Sequence, residues 1–494
     1  MREQTSAIAK DRKIAARRSL PGPMWLLLLL FLPSLFLINP WVRGDGVGYY
    51  AFLRAPLIEH NLDFSQDYQN ANPGFRAGLL DENGAPRDVF RSSTGHLDNH
   101  FTVGPAILWS PFVVIAHGGV LLARAMGATV AADGFSAPYR VAMAVATALY
   151  AFAGLLFSFW LARKYIDETC ALLATIGIWW ASSLPVYMYF NPSWSHAHSA
   201  FAVALFLWYW DATRAARTTR EWVLLGMMTG LMLNVYYPNL MVLAVLVVEA
   251  IRQYAAAFGK KEEPGTTPQQ LLLKHFVFGA VVTICLAPTF ITRAIVYGSP
   301  FASGYVSLKD WLWSSPVFLK VLFSSNHGLF SWTPLLLLSV VGLFIFWRKV
   351  PEVGTGLLCA ALAFYLFIAC YPDWAGISSF GNRFFVSLTP IFIVGLSALL
   401  ERFAILFRSR VRWLAVTAVV LGCFILWNLG LLFQWGTHLI PARGPIQWNE
   451  MAYNQFHVVP RKLAADVQSY FFRRRNFMQQ IEHRDMEQQR EAKP

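Results

Sequence analysis

Residues 24–39 read MWLLLLLFLPSLFLIN and contain no charged side chain. A run of this kind predicts a helix that spans a membrane. It is followed at residues 43–50 by RGDGVGYY, which places Asp45 just beyond the point where the helix leaves the hydrocarbon. Glycines let a ligand approach the backbone, and a carboxylate at a membrane boundary needs a partner or a function. The stretch therefore indicates a site, with an ordinary interfacial loop as the alternative.

The composition is that of an integral membrane protein. Of the 494 residues, 56% are hydrophobic and 14% are charged, whereas about 25% of the residues of a soluble domain are charged. The apolar runs are long and uninterrupted, which predicts helices rather than the strands of a barrel. The net charge of +13 does not indicate nucleic-acid binding, because the basic residues lie mainly between apolar runs, where they fix the orientation of the spans.

We predict an all-α polytopic membrane protein with about 11 transmembrane helices. Residues 1–23 form a cytoplasmic N-terminus, residues 24–433 a transmembrane domain with a long first outer loop at 42–138, and residues 434–494 an extracytoplasmic tail. The connections that contain Lys260 and Lys261, or Arg348 and Lys349, are cytoplasmic by the positive-inside rule. The predicted spans are 24–39, 139–162, 169–189, 196–211, 222–236, 239–252, 272–296, 332–347, 354–371, 384–401 and 412–433.

Residues 105–123 are apolar enough for a further span, but the charge pattern argues against a crossing. Basic residues at 163–164 and at 214–220 each follow an apolar helix, and both groups should be cytoplasmic. One of them would lie outside if residues 105–123 crossed once. We therefore predict that this segment lies at the outer interface or re-enters the membrane. The tail is basic although it lies outside, which an amphipathic helix on the outer leaflet would explain.

The distinctive polar residues gather in the predicted outer loops, whereas the inner loops are simply basic. This asymmetry places the active face outside. Histidines at helix starts have packing as an alternative role, and arginines at helix ends can reach toward lipid headgroups. His96-x-Asp98-x-His100 has a spacing compatible with a metal but no third fixed ligand. We therefore assign no metal and no required cofactor, and leave a divalent metal open.

Carboxylates and arginines at the outer membrane surface fit glycosyl transfer from a lipid-linked sugar phosphate. A carboxylate takes the proton of the acceptor hydroxyl, and arginines stabilise the charge on the departing phosphate. We predict Asp45 as the base. The other candidates are Arg293 and Arg383 for the lipid phosphate, Asp63, Asp67, His60 and His100 for a second acidic or polar role, and His196, His198, Asp373 and Trp374 for acceptor or sugar contacts.

The order of these parts resembles the GT-C superfamily of integral-membrane glycosyltransferases, especially bacterial relatives of protein mannosyltransferases (glycosyltransferase family 39) and of the lipid A aminoarabinose transferase. The resemblance implies a catalytic carboxylate in the first outer loop, which falls on Asp45, and an inverting transfer. Many relatives have an acidic pair after the first span, whereas glycine follows Asp45 here, so the second acidic role stays open. The likeness is carried by the acidic first outer loop and by the segments GPAILWSP at 104–111, PYR at 138–140, HGLFSWTP at 327–334 and DWAGISSFGNRF at 373–384.

The resemblance also implies the partners and the location. These are a polyprenyl-phosphate-linked sugar, an extracytoplasmic acceptor (lipid, glycan or protein) and membrane lipids, in a bacterial inner membrane, with no nucleic acid. Two alternatives remain, a transporter or flippase for a lipid or small molecule, and a non-catalytic assembly subunit. Transporters often have inverted repeats and ionisable residues near the bilayer midplane, and the sequence shows neither.

Overall fold

The computed structural model describes residues 22–258 and 267–491. In these two ranges the regular structure is helical, and strand-like pairing is limited to two isolated bridges in the first outer loop. The prediction of an all-α protein is therefore confirmed. The predicted cytoplasmic N-terminus, apart from its last two residues, and the pair Lys260 and Lys261 lie outside the described residues.

Twenty-one α-helices follow one another along the described ranges, joined by short 3₁₀ and π turns. They are α1 (Gly22–Ser34), α2 (Asp45–Arg54), α3 (Ser65–Gln69), α4 (Pro73–Leu79), α5 (Gly104–Ala125), α6 (Ala137–Arg163), α7 (Glu168–Trp180), α8 (His196–Thr213), α9 (Thr219–Val235), α10 (Ala244–Phe258), α11 (Pro268–Cys285), α12 (Ala287–Tyr297), α13 (Phe318–Phe323), α14 (Leu329–Trp332), α15 (Leu335–Lys349), α16 (Pro351–Cys370), α17 (Thr389–Ala404), α18 (Arg410–Gly436), α19 (Trp448–Tyr453), α20 (Val459–Phe472) and α21 (Arg474–Glu491).

A helix forms in each of the eleven segments predicted to span the membrane. In the described part of the chain, seven helices are long and apolar enough to cross a bilayer, and two more are apolar but shorter. The multi-pass architecture is therefore confirmed, and the count of eleven crossings stays a prediction. The seven are Gly104–Ala125, Ala137–Arg163, Tyr237–Phe258, Pro268–Cys285, Pro351–Cys370, Arg383–Ala404 and Arg410–Gly436.

Helix α5 contains the apolar segment that the charge pattern predicts not to cross. The indole Nε1 of Trp109 donates to Thr147 Oγ1 (2.8 Å), well inside α6. Further along α5, His117 Nδ1 lies 2.7 Å from the hydroxyl of Tyr139, which is near the start of α6. The helix therefore runs antiparallel to α6 along the first half of that helix. Its length and apolarity would allow a span, and its position at the outer interface stays a prediction.

Helix α17 is the central helix of the bundle, because every residue from Thr389 to Ala398 is buried. It packs against α15 so closely that a Cβ on Gly342 would lie 2.0 Å from the carbonyl oxygen of Gly395. Small residues on facing helices allow such an approach of two backbones in a membrane protein. The 3₁₀ turn Arg383–Leu388 leads directly into α17. The close packing therefore fixes the position of Arg383 relative to the bundle.

One end of the bundle gathers helix ends and long connections, and we call it the site end. Helices α1, α7, α9, α16 and α18 end there, α8 and α17 begin there, and the first outer loop and the tail lie over them. The connections at the opposite end are short and basic. Their basic residues in the described ranges include Arg163, Lys164, Arg214, Arg217, Arg348, Lys349, Arg408 and Arg410.

Candidate active site

Asp45 is the first residue of α2, which is held against the bundle by glycines. Gly44 has a φ of 53°, a left-handed value at which any other L-residue is strained. A Cβ on Gly46 would lie 2.0 Å from Ser193 Oγ, so only glycine fits against the connection between α7 and α8. Gly46 therefore serves the close packing of the protein's own chain, which orients Asp45, whereas Gly44 lines the cavity described below.

Asp45 forms an ion pair with Arg383, in which Oδ2 lies 2.7 Å from Nη1. The Asp45 side chain is 31% exposed and the Arg383 side chain 11%. The guanidinium also lies over the ring of Trp194, 4.5 Å from its centroid. Arg383 Nε is buried and has no hydrogen-bond partner among the described residues. A guanidinium with an unused N–H can bind a further anion beside Asp45, and its planar fork suits phosphate.

Asp45 and Arg383 both line a cavity of about 460 Å³ at the site end. Its walls come from the start of α2, the first outer loop, the connection before α17 and the tail. Ligand pockets commonly have volumes of roughly 300–1,000 Å³, so the cavity is large enough for a sugar phosphate. Its charged and polar lining includes Arg43, Asp45, Asn72, Asp98, His100, Asn191, Ser378, Arg383, His438, Arg443 and Asp485.

His100 is the third predicted residue that lines this cavity. Burial lowers the pKa of His100, and the nearby carboxylates of Asp98 and Asp45 oppose this effect in part. The imidazole is therefore neutral at pH 7, and one of its nitrogens can accept a hydrogen bond while the other donates. Its ring also contacts Tyr305, with the ring centroids 4.8 Å apart.

The other predicted acidic and polar helpers lie away from the cavity. Asp67 is buried and accepts two hydrogen bonds from Arg54, at 2.8 and 2.9 Å. Burial raises the pKa of Asp67 to about 6, and Arg54 opposes this rise. Asp63 is exposed and accepts a hydrogen bond from the Ser65 backbone N–H (3.0 Å), while His60 is exposed at the end of the turn after α2. Asp67 therefore stabilises the end of α2 through its ion pair with Arg54.

Arg293 holds the first outer loop in place and is not among the residues that line the cavity. Its Nη2 donates to the carbonyl oxygens of His100 (2.6 Å) and Phe101 (3.1 Å) and to the hydroxyl of Tyr237 (3.1 Å). Its Nη1 donates to the carbonyl oxygen of Asn99 (3.3 Å). These bonds fix the segment that bears Asp98 and His100 against α12.

None of the predicted acceptor or sugar contacts lines the cavity. His196 lies in an aromatic cluster behind Arg383, and its ring contacts Tyr187 with the centroids 4.8 Å apart. His198 is fully buried against Trp109. Asp373 is exposed, and the carbonyl oxygen of Trp374 accepts a hydrogen bond from Asn382 (3.0 Å). Asp373 and Trp374 therefore shape the connection whose residues Gly376, Ile377 and Ser378 line the cavity.

Several lining residues have no counterpart among the predicted site residues. Asp98, in the motif at 96–100, accepts a hydrogen bond from the hydroxyl of Tyr297, and only that motif could have indicated it. Arg443 and His438 come from the tail, where no pattern in the sequence indicates a site. In residues 22–258 and 267–491, no group of three or more His, Cys, Asp or Glu side chains is arranged to hold a metal ion.

Comparisons with known proteins find likeness only among solved structures. No family model matches the sequence, and no curated protein matches it. One similar structure is the archaeal oligosaccharyltransferase AglB from Archaeoglobus fulgidus in complex with an inhibitory peptide and a dolichol-phosphate, with 16% identity, a TM-score of 0.45 and coverage of 83% of this chain and 55% of that chain. The apo form gives 15% identity, a TM-score of 0.44 and coverage of 89% and 55%.

A third similar structure is the A. fulgidus oligosaccharyltransferase in complex with Zn and sulfate, with 17% identity, a TM-score of 0.45 and coverage of 82% of this chain and 52% of that chain. This chain thus spans about half the length of the oligosaccharyltransferases that it matches. They belong to the GT-C superfamily, which the sequence also resembles. Because the TM-scores lie below 0.5, the likeness carries no functional conclusion.

Proposed function

We propose that this protein is a membrane glycosyltransferase that moves a sugar from a polyprenyl-phosphate donor to an extracytoplasmic acceptor. The observation that carries the proposal is the ion pair between Asp45 and Arg383 in a cavity where the ends of membrane helices meet. A lipid-linked donor needs its phosphate at the membrane surface, and a cavity at the ends of membrane helices would hold a phosphate there.

In the proposed reaction, the acceptor hydroxyl oxygen attacks the anomeric carbon of the sugar. The bond between that carbon and the phosphate oxygen breaks, and the phosphate leaves with the electron pair. Arg383 stabilises the negative charge on the leaving phosphate, and Asp45 takes the proton of the acceptor hydroxyl. Attack from the face opposite the phosphate inverts the anomeric configuration, so one displacement completes the transfer.

The ion pair supports this division of roles. While the donor is absent, the ion pair with Arg383 orients the Asp45 carboxylate. When a phosphate binds, Arg383 can use Nε as well as its terminal nitrogens, which spreads the guanidinium's charge over two anions.

Asp98 and neutral His100 lie on the wall beside them and are proposed to bind sugar or acceptor hydroxyls. The basic opposite end would face the cytoplasm, so that the site end faces outward.

The proposal predicts that Asp45→Asn abolishes sugar transfer without loss of folded protein, because an amide cannot accept the acceptor proton. The measurement is transfer of radiolabel by purified protein from a panel of polyprenyl-phosphate sugars to extracted envelope acceptors. We expect a fall in rate of at least about 100-fold, the lower end of what a general base contributes.

Asp63→Asn is the matched control, because Asp63 is an exposed carboxylate of the same outer loop that does not line the cavity. It should keep normal transfer. Near-normal transfer by Asp45→Asn would reject Asp45 as the base. Movement of intact donor lipid between the leaflets of protein-containing vesicles, with no sugar transferred by the wild type, would instead favour the flippase alternative.

A further inference from the structure

A second cavity, of about 850 Å³, lies beside the end of α1 and is separate from the cavity that contains Asp45. Its floor is the segment Asn39-Pro40-Trp41, and its walls are the start of α4, the first turn of α6 and one face of α21. Apolar side chains make up much of the wall. The lining residues that carry the argument are Trp41, Arg140, Arg474, Arg475, Met478 and Glu482.

The cavity has more positive than negative charge. Arg140, Arg474 and Arg475 line it together with a single carboxylate, that of Glu482. Glu482 Oε1 already accepts hydrogen bonds from Asn72 Nδ2 (2.7 Å) and from the Gly74 backbone N–H (3.0 Å). His483 also lines the cavity, and its ring pairs with Glu487. Glu482 Oε2 lies 3.7 Å from Arg43 Nη2 and has no hydrogen-bond partner among the described residues. The carboxylate is thus paired with Arg43, and none of the three arginines forms an ion pair within the described residues.

The three arginines differ in how far the protein uses their hydrogen-bond donors. Arg474 donates to the carbonyl oxygens of Ile38 (2.6 Å), Phe36 (3.2 Å) and Tyr470 (3.1 Å), so it joins α21 to the end of the first span. Arg140 Nε is buried and has no hydrogen-bond partner among the described residues. Arg475 is exposed. A buried guanidinium nitrogen without a partner is costly unless a ligand satisfies it.

The surroundings indicate that the anion belongs to a lipid. Phe36, whose carbonyl oxygen accepts from Arg474, has a side chain that is 74% exposed, and Phe472 is 82% exposed. In a protein with multiple membrane helices, such side chains at the end of a span face lipid rather than water. We propose that the cavity binds the phosphate group of a membrane lipid, with Arg140 and Arg475 as its ligands and the lipid chains against the outside of α1.

This binding site is independent of the transfer chemistry, and native mass spectrometry of the full-length protein tests it. The probes are phosphatidylglycerol, a polyprenyl phosphate and inorganic phosphate at equal concentration. Arg475→Gln and Arg140→Gln should each weaken lipid binding by about tenfold, since a charge-assisted hydrogen bond contributes roughly 1.5–3 kcal/mol. Arg475 is exposed, so its replacement should leave the fold intact even if Arg140→Gln does not.

Arg473→Gln is the matched control, because Arg473 is an exposed arginine two residues from Arg475 that does not line the cavity. It should leave binding unchanged. Lipid binding that depends on Arg475 supports the proposal, and the lipid that binds more tightly identifies its source. An equal loss in Arg473→Gln, or inorganic phosphate that binds as tightly as either lipid, would overturn it. Asp45→Asn should keep lipid binding, which separates this site from the proposed activity.

Discussion

Two buried arginines at the site end, Arg293 and Arg383, were both predicted to bind the lipid phosphate. Their surroundings differ. Arg383 faces a carboxylate in the cavity, and its Nε has no partner in the part of the chain that the structure describes. The terminal nitrogens of Arg293 instead donate to three backbone carbonyl oxygens and a hydroxyl. The sequence placed both at the same end of the bundle. It could not distinguish them, because their hydrogen-bond partners lie far away along the chain.

This difference predicts opposite phenotypes for the two glutamine variants. Arg383→Gln should lower the rate of transfer by about 100-fold, the typical effect of removing one group that stabilises a developing negative charge. Its melting temperature should change little, because Asp45 is partly exposed and can be solvated. Steady-state transfer with increasing donor, together with thermal unfolding in detergent, measures both quantities.

Arg293→Gln should instead lower the melting temperature, because it leaves buried carbonyl oxygens without donors, at a cost of about 2 kcal/mol. The protein that remains folded should transfer sugar at a rate near that of the wild type. An unchanged donor KM and kcat in Arg383→Gln would remove Arg383 from the phosphate-binding role. Loss of transfer in well-folded Arg293→Gln would return Arg293 to that role.

At the scale of the element, α2 shows why a short glycine-rich stretch decides the geometry of the site. The sequence indicated that Asp45 lies in a functional loop. The structure shows a helix whose second residue, Gly46, meets Ser193 from the connection between α7 and α8. Sequence alone could not reveal this contact, because nothing in the pattern at 43–50 specifies which part of the chain packs against it.

Gly46→Ala should therefore displace α2 and impair both stability and transfer. Its Cβ would lie 2.0 Å from Ser193 Oγ, and overpacking of this kind costs about 1–3 kcal/mol. Because a displacement of about 1 Å at a catalytic group can cost roughly 100-fold in rate, transfer should fall by more than the folded fraction does. The measurements are melting temperature and transfer per folded protein.

Gly78→Ala provides the comparison, since Gly78 also lies in a helix of the first outer loop and a Cβ there would meet nothing within 4 Å. This variant should be neutral or slightly stabilising, because alanine restricts the unfolded chain. If Gly46→Ala has the same melting temperature and the same rate of transfer as Gly78→Ala, then the contact between Gly46 and Ser193 does not hold α2 in place.

The apolar helices were predictable because the length of an apolar run is read from consecutive residues of the sequence. Each of the eleven segments contains a helix, and the charge pattern also separated α5 from the others. The seven helices that are long and apolar enough to cross include α5, so its length and the charge pattern predict different positions for this helix. The contacts of Trp109 and His117 with α6 do not decide between them, and the non-crossing position stays a prediction.

At the scale of the whole molecule, the tail lies over the site end and contributes residues to the lining of the first cavity. The sequence predicted an amphipathic helix there, and α20 exposes Leu463, Val467 and Phe471. The sequence did not predict that residues of α21 would line both cavities. Arg43 Nη2 donates to Asp485 Oδ2 (3.1 Å) across 442 positions of the chain. Contacts at such a separation leave no local pattern, so the tail's part of the site could not be predicted.

We expect the docking of α21 to depend on Glu482, which lines the second cavity and bonds to residues beside the first. Glu482→Gln replaces the carboxylate that accepts from Asn72 and Gly74 and lies 3.7 Å from Arg43. Losing these charge-assisted bonds should weaken docking by roughly 1.5 kcal/mol, so amide hydrogen exchange in residues 474–491 should be about tenfold faster. Glu487→Gln, at an exposed position of the same helix, should exchange like the wild type. Equal exchange in the two variants would show that the apolar contacts of α21, and not Glu482, keep the tail over the site.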